Sequence, residues 1–166
     1  NKFSGIGFDL GSTYIFNLPL EPSVTLGYAF GDDGFRQTGL QGNEGGFNGV
    51  ADFKYYGELL DPELSNLSIF TAGTGINPTE ESSIDLVYHY YLQDKASNSL
   101  RNVGIEAEPD GRNKGLGSEI DLILGYVGRG ETIELALILG YFIPGSAFPS
   151  ESENSFLTKL VLQLSF

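Results

Sequence analysis

The sequence predicts an all-β protein, an antiparallel transmembrane β-barrel, and three observations support this fold class. Apolar and polar residues alternate with a period of two along most of the chain, which is the pattern of strands with one apolar face. Several alternating segments are about 10 to 14 residues long, matching the ~9–11 residues that a tilted strand needs to cross a bilayer. The connections alternate between short and long, as in outer-membrane barrels with short periplasmic turns and long external loops.

Seven alternating segments are predicted to form strands, and the final segment is the clearest. In that segment Phe156, Leu160, Leu162, Leu164 and Phe166 share one face, while polar residues are frequent on the other. A competing count adds residues 49–57 as an eighth strand. The predicted strands are, in order, residues 2–17, 24–30, 67–72, 84–93, 119–126, 133–141 and 155–166.

Composition agrees with this fold and excludes several functions. The 23 glycines and the 13% aromatic content favour long strands joined by irregular loops over a helical bundle. The sequence contains no run of about 18 apolar residues, so no transmembrane helix is predicted. The formal charge of −13 argues against a nucleic-acid partner, because phosphate binding requires clustered lysines and arginines. The absence of cysteine excludes a disulfide framework and a cysteine nucleophile.

The parity of the strands suggests that residues 1–166 are the C-terminal part of one larger barrel domain. The long connections, residues 31–66, 94–117 and 143–154, are predicted to be external loops. If the chain ends on the periplasmic side, seven strands place Asn1 on the external side, whereas bacterial barrels usually have an even number of strands. Seven strands also leave two unpaired edges, which lipid does not tolerate. We therefore expect missing N-terminal strands of the same protein to pair with these edges.

The less apolar face of the predicted strands is assigned to the barrel interior. Its acidic residues have two possible roles: they shape the field of a pore, or they pair with basic residues of neighbouring strands and hold the wall rigid. The one histidine is interpreted as a hydrogen-bonded wall residue. No catalytic constellation accompanies it, so the sequence does not predict an enzyme. The predicted pore-lining residues are Asp9, Asp85, His89, Glu119, Asp121, Glu134 and Lys159.

Two external loops contain weak candidates for a metal site. Asp32 and Asp33 begin one loop and Asp110 lies in the next, each close to glycine. Acidic, glycine-containing loops bind Ca²⁺ through oxygen ligands, although this spacing is not that of an EF-hand. A solvated acidic loop is the simpler interpretation, and bridging to lipopolysaccharide through divalent ions is a further hypothesis. No other cofactor is predicted.

Five segments in order resemble the C-terminal half of the alginate-export family of outer-membrane barrels. They are PSVTLGYAFGDD (residues 22–33), YYGELLDPELSNLSI (55–69), LVYHYY (86–91), LGSEIDL (116–122) and GYFIPGSAF (140–148). The resemblance implies a monomeric pore of about 18 strands in the outer membrane of a Gram-negative bacterium. In the alginate-exporting member an arginine-rich constriction carries an anionic polysaccharide, while other members are porin-like.

The resemblance also implies that the barrel-assembly machinery recognises the last strand through Phe166, Leu164 and Leu162, because an amphipathic edge strand can be captured by β-augmentation. The chain departs from the family in its charge. Its inward face has few cations, chiefly Lys159 and His89, with Lys2 and Lys95 as further candidates. The arginines at positions 36, 101, 112 and 129 all fall in loops or turns. Either the cationic wall lies on other strands, or this member does not carry an anionic polymer.

Two functions follow as hypotheses. The first is a pore of the bacterial outer membrane that transports or exports a polar solute, with an anionic polysaccharide such as alginate as one candidate. The second is a structural or interaction barrel whose external loops bind a partner and whose lumen is plugged. Conductance in planar bilayers separates the two.

Overall fold

The computed structural model describes residues 5–37, 43–128, 130 and 132–165. Within these residues seven strands form one antiparallel sheet in chain order, and none of the described residues forms a helix that could cross a membrane. A separate two-stranded sheet pairs β3 (Glu44–Gly45) with β4 (Phe53–Lys54). The strands of the large sheet are β1 (Gly7–Ile15), β2 (Ser23–Gly31), β5 (Leu67–Thr79), β6 (Ser82–Gln93), β7 (Gly115–Val127), β8 (Ile133–Pro144) and β9 (Ser155–Leu164).

The register aligns the two faces that the alternation predicts. Leu86 of β6 pairs with Leu122 of β7, which pairs with Leu139 of β8. Because side chains alternate along a strand, these apolar rows all project from the same face, which we name the outer face. The predicted fold class, an all-β antiparallel barrel protein, is confirmed.

The outer face is apolar and uncovered. Leu10, Leu26, Phe156 and Leu160 are each between 64% and 68% exposed. Leaving apolar surface in water costs about 25 cal/mol per Å². A face of this composition is therefore suited to contact with lipid.

Several strand boundaries differ from those predicted. β5 extends to Thr79, so that only residues 80 and 81 separate it from β6, and β7 begins at Gly115. Residues 49–57 contain only β4, which pairs with β3 and adds no strand to the large sheet. Within the described residues, β1 and β9 are the two edges of the large sheet and do not pair with each other. Phe166, Lys2 and Arg129 lie outside the described residues.

The opposite face, which we name the inner face, is covered by part of the connection between β2 and β5. Residues 43–66 of this connection, named here the inner segment, pack against the sheet in two hydrophobic clusters. One joins Leu59, Leu60 and Leu64 of the segment to side chains of the wall that include Tyr91 and Phe142. The other contains Ala51, Phe53, Val87, Ile123, Ala136 and Ile138.

Candidate functional site

The inner segment is fixed to the wall by a carboxylate that binds its main chain. Glu119 of β7 accepts hydrogen bonds from the Leu59 amide at Oε1 (2.6 Å) and from the Leu60 amide at Oε2 (2.9 Å). Asp121, two residues further along the same face, accepts at Oδ2 from the Glu58 amide (3.3 Å). Since both carboxylates are buried, these bonds to main-chain donors offset part of the free-energy cost of burying them.

Tyr91 of β6 completes this contact from the neighbouring strand. Its hydroxyl lies 2.7 Å from the Tyr56 carbonyl oxygen and 3.1 Å from Glu119 Oε2. Gly57 lies directly above these groups with φ of +105°, and a Cβ there would lie 2.8 Å from Glu119 Oε2. The left-handed backbone and the close approach both require glycine at this position. Residues 56–60 with Tyr91, Glu119 and Asp121 are named the anchor.

Glu58 connects the anchor to the next strands of the wall. Its Oε1 accepts from the Lys54 amide (2.8 Å) within the inner segment, and its Oε2 lies 3.2 Å from Lys159 Nζ of β9. The Glu58 side chain is 1% exposed and that of Lys159 is 42% exposed. Lys159 is therefore a half-exposed cation whose charge is directed to the inner segment.

The structure places all seven predicted pore-lining residues on the inner face. Asp85, His89, Glu119 and Asp121 are at most 2% exposed, because the inner segment and its neighbours cover them. The acids of the anchor bind main-chain amides of residues 58–60, where the sequence suggested basic side chains of adjoining strands. His89 lies 3.0 Å from Thr71 Oγ1 through Nδ1, and its Nε2 is 3.8 Å from Asp121 Oδ2. The other residues, Asp9, Glu134 and Lys159, are less buried.

A groove of about 530 Å³ separates the inner segment from β8 and β9. Lys54 and Glu58 line it from the segment, and Glu134, Lys159 and Gln163 line it from the wall. Lys54 is also paired, with Glu44 at 2.6 Å and Asp61 at 3.5 Å. Both cations of this groove therefore have acidic neighbours.

The candidate calcium ligands Asp32 and Asp110 stabilise turns in their loops by accepting hydrogen bonds from main-chain amides. Asp32 accepts from the amides of Ile6, Gly34 and Phe35, and the first of these bonds lowers its pKa most. Asp110 accepts from the amides of Asn113 and Arg112, which hold its pKa below the usual value.

Asp33 pairs with Lys95 at 2.7 Å. The described residues contain no group of three or more acidic or histidine side chains that could hold a metal ion. Calcium binding stays a prediction. Leu162 and Leu164 lie exposed on the outer face of β9, and their role in assembly is likewise a prediction.

Sequence reasoning missed that residues 43–66 fold onto the inner face. The available signal was the apolar run around Tyr55, Tyr56, Leu59 and Leu60, which is unusual for a connection expected to be external and acidic. Buried side chains of this kind need a partner surface, and the wall supplies it.

Comparison with known proteins agrees with the architecture. The family model described as Alginate export matches residues 2–158. The alginate production protein AlgE of Azotobacter vinelandii is 31% identical over 88% of this chain, and AlgE of Pseudomonas aeruginosa is 30% identical over 73% of it. The chain spans 36% and 26% of the length of these two relatives. The match of the family model over nearly the whole sequence and the similarity to these two relatives lead to one conclusion: the chain belongs to the alginate export family.

Proposed function

We propose that this chain forms part of the wall of an outer-membrane barrel that exports an acidic polysaccharide through its lumen, and that the inner segment narrows this lumen. The observation that carries the proposal is the difference in character between the two faces of the sheet. The outer face is apolar and uncovered, while the inner face holds a folded segment through Glu119 and Asp121. A wall that presents hydrocarbon to lipid and polar contacts to an interior is the arrangement of a membrane channel.

The class of cargo follows from the family rather than from the charge of these strands. The two relatives are named for alginate, an acidic polysaccharide. In the described part of the inner face, Lys54 and Lys159 both contact carboxylates. We therefore propose that these strands supply shape and rigidity, and that cations from other parts of the whole protein neutralise the polymer.

The second candidate function is a barrel whose lumen is plugged and whose loops bind a partner. It is favoured by the extent to which the inner segment fills the inner face, with Leu60, Leu67 and Phe142 at most 1% exposed. In that case the anchor would close the lumen permanently.

Planar-bilayer recordings of the whole protein separate the two functions. The wild type is compared with a variant in which residues 46–64 are replaced by a short Gly-Ser linker. We expect a steady current in the wild type, a larger current in the variant, and transient current blocks when oligomannuronate is added. A neutral dextran of equal size is the control for block by bulk alone. Absence of current in the wild type would support the plugged barrel, whether or not the variant conducts, and a current in the variant alone would identify the inner segment as the plug. Cation selectivity without block by oligomannuronate would exclude the acidic cargo.

The proposed location is the bacterial outer membrane, with lipid and lipopolysaccharide around the outer face. The proposed assembly partner is the barrel-assembly machinery, which would capture β9 through Phe166, Leu164 and Leu162 by β-augmentation. Deletion of Phe166 should reduce the amount of protein in the outer-membrane fraction of cells. An unchanged amount would remove this role.

A further inference from the structure

A second hollow lies on the inner face, between the inner segment and strands β1 and β2. Its volume is about 400 Å³, within the range of small-ligand pockets. The wall contributes the row Gly11, Gly27 and Thr71, whose members are paired across β1, β2 and β5. Because Gly11 and Gly27 have no side chain, the backbone is uncovered at these two positions of the floor. We name the hollow the aromatic cleft.

The opposite side of the aromatic cleft is formed by rings of the inner segment. Phe47, Tyr55 and Tyr56 line it. Phe47 and Tyr55 are stacked, with ring centroids 6.1 Å apart and an interplanar angle of 14°. Phe47 rests on Gly73 of β5, where a Cβ would lie 3.0 Å from the ring. Both rings are half-buried, so that each is supported from behind and still presents surface.

Hydroxyl and carboxylate groups stand at the rim of the cleft. The Oγ1 atoms of Thr13 and Thr25 are 2.8 Å apart. The Tyr56 hydroxyl donates to Asp9 Oδ2 at 3.0 Å, which fixes the orientation of both groups. Hydroxyl groups can both donate and accept, and a carboxylate accepts at two oxygens, so this rim offers several hydrogen-bonding positions.

The charge of the aromatic cleft distinguishes it from a site for anions. Among its described lining residues none is a lysine, an arginine or a histidine, and Asp9 is the one acid. An anionic group would meet no opposite charge there. A ligand suited to this lining has apolar C–H faces that pack on flat aromatic rings and hydroxyl groups that bond to the rim, and pyranose sugars have both.

We propose that the aromatic cleft is a subsite that binds a pyranose ring of a passing polysaccharide by stacking on Tyr55 and Phe47, independently of the charge of the sugar. The proposal rests on the proposed function in polysaccharide export and adds a binding site to it. Thr13 and Asp9 form hydrogen bonds with hydroxyl groups of the bound ring. A subsite that binds by stacking holds each sugar unit weakly. The polysaccharide can therefore advance from one unit to the next while it stays in contact with the wall.

The test is calorimetric binding of two hexasaccharides, β-1,4-linked mannuronate and β-1,4-linked glucose, to the whole protein in detergent micelles. We expect both hexamers to bind, and Tyr55→Ala and Phe47→Ala each to raise Kd about tenfold, which corresponds to about 1.4 kcal/mol. Tyr55→Phe keeps the ring and should leave Kd within about twofold. The matched control is Tyr14→Ala, because Tyr14 is a 65% exposed tyrosine of the outer face.

A second variant leaves every ring in place and fills the floor. Gly27→Leu should abolish binding of both hexamers, since a Cβ at this position meets Thr71 only at 3.4 Å and the added chain occupies the cleft. The proposal is overturned if the ring and floor variants bind both hexamers like the wild type. It is also overturned if the wild type binds only the mannuronate hexamer. Either result leaves the proposed export intact as long as bilayer currents persist, whereas loss of currents with sugar binding retained removes export and not the subsite.

Discussion

The two halves of the inner face differ in what they present to the inner segment. On β6, β7 and β8 the wall offers large apolar side chains, including Val87, Tyr91 and Phe142, together with the acids of the anchor. On β1 and β2 it offers glycines and hydroxyls, such as Gly27 and Thr25. One half therefore binds the inner segment tightly, and the other leaves space beside it. The same alternating pattern along the strands therefore produces both results, through the size and the charge of the inward residues.

The two halves of the inner face also differ in the free energy with which they hold the inner segment. Burying a large apolar side chain contributes about 1.5–3 kcal/mol relative to leaving it exposed, and Tyr91, Phe142 and Leu60 are all at most 1% exposed. The open half has no comparable set of side chains against the segment. A hydrogen bond from the Tyr56 hydroxyl to Asp9 connects the inner segment to β1. We expect substitutions in the anchored half to release the inner segment and those in the open half to change it little.

Removal of the anchor carboxylate has the largest expected effect. Glu119→Ala leaves the amides of Leu59 and Leu60 buried without acceptors, at about 1–3 kcal/mol each and so roughly 2–6 kcal/mol in all. Hydrogen exchange of residues 56–60, followed by mass spectrometry, should accelerate by at least about 30-fold. The control is Glu134→Ala, an acid of the same face that is only half-buried. Equal exchange in the two variants would show that the carboxylate does not hold the segment.

Substitution of the anchor glycine is expected to have the next largest effect. Gly57→Ala places a side chain at φ of +105° and against Tyr91 and Glu119, which should destabilise the docked segment by about 1–3 kcal/mol. The matched control is Gly130→Ala, at φ of +77° with nothing within 4 Å of the added Cβ. Exchange of residues 56–60 reports the difference. If the control accelerates it equally, backbone strain in general and not the anchor is responsible.

The link to the open half has the smallest expected effect. Tyr56→Phe loses one hydrogen bond to the exposed Asp9, which costs about 1 kcal/mol. Burial raises the pKa of Tyr56 above its ordinary value, and the charge of Asp9 raises it further. Because the folded pKa is the higher one, this contribution is complete below about pH 10 and is lost as the pH rises toward the folded pKa.

Thermal denaturation in micelles at pH 8 and pH 11 tests this pH dependence. The Tm difference between the wild type and Tyr56→Phe should shrink at the higher pH. A difference that stays constant or grows would contradict the assigned role of the phenol.

The fold could be predicted from the sequence because the residue patterns that specify each strand lie within short segments of the chain. Alternation within β6 to β9 identifies the outer face residue by residue, and the short connection predicted at residues 128–131 identifies β7 and β8 as neighbours. The end of β5 was less clear. Its pairing with β6 shifts register between Ile76 and Thr79, which breaks the period of two.

The anchor could not be predicted because its contacts join distant parts of the chain. Leu59 and Glu119 are 60 positions apart, and a carboxylate that binds main-chain amides leaves no pattern in the side chains of its partner. Glu119 and Asp121 were recognised as inward acids, but their partners were not. The aromatic cleft could not be predicted for a related reason. Phe47 and Tyr55 form one side of a cleft only because the fold places them opposite Gly27 and Thr71.

The position of the inner segment against β8 can be measured directly in the membrane-embedded protein. The measurement is disulfide formation between Leu59→Cys and Gly140→Cys. The Leu59 Cβ lies 3.6 Å from where a Cβ at Gly140 would be, within the range for a disulfide, and the chain has no cysteine of its own. The control pair combines Leu59→Cys with Leu139→Cys, the adjacent position on the outer face. We expect rapid oxidation of the first pair in membranes, seen as a loss of about 2 Da, and no oxidation of the second pair. Oxidation of both pairs at equal rates, or of neither, would contradict this position of the inner segment.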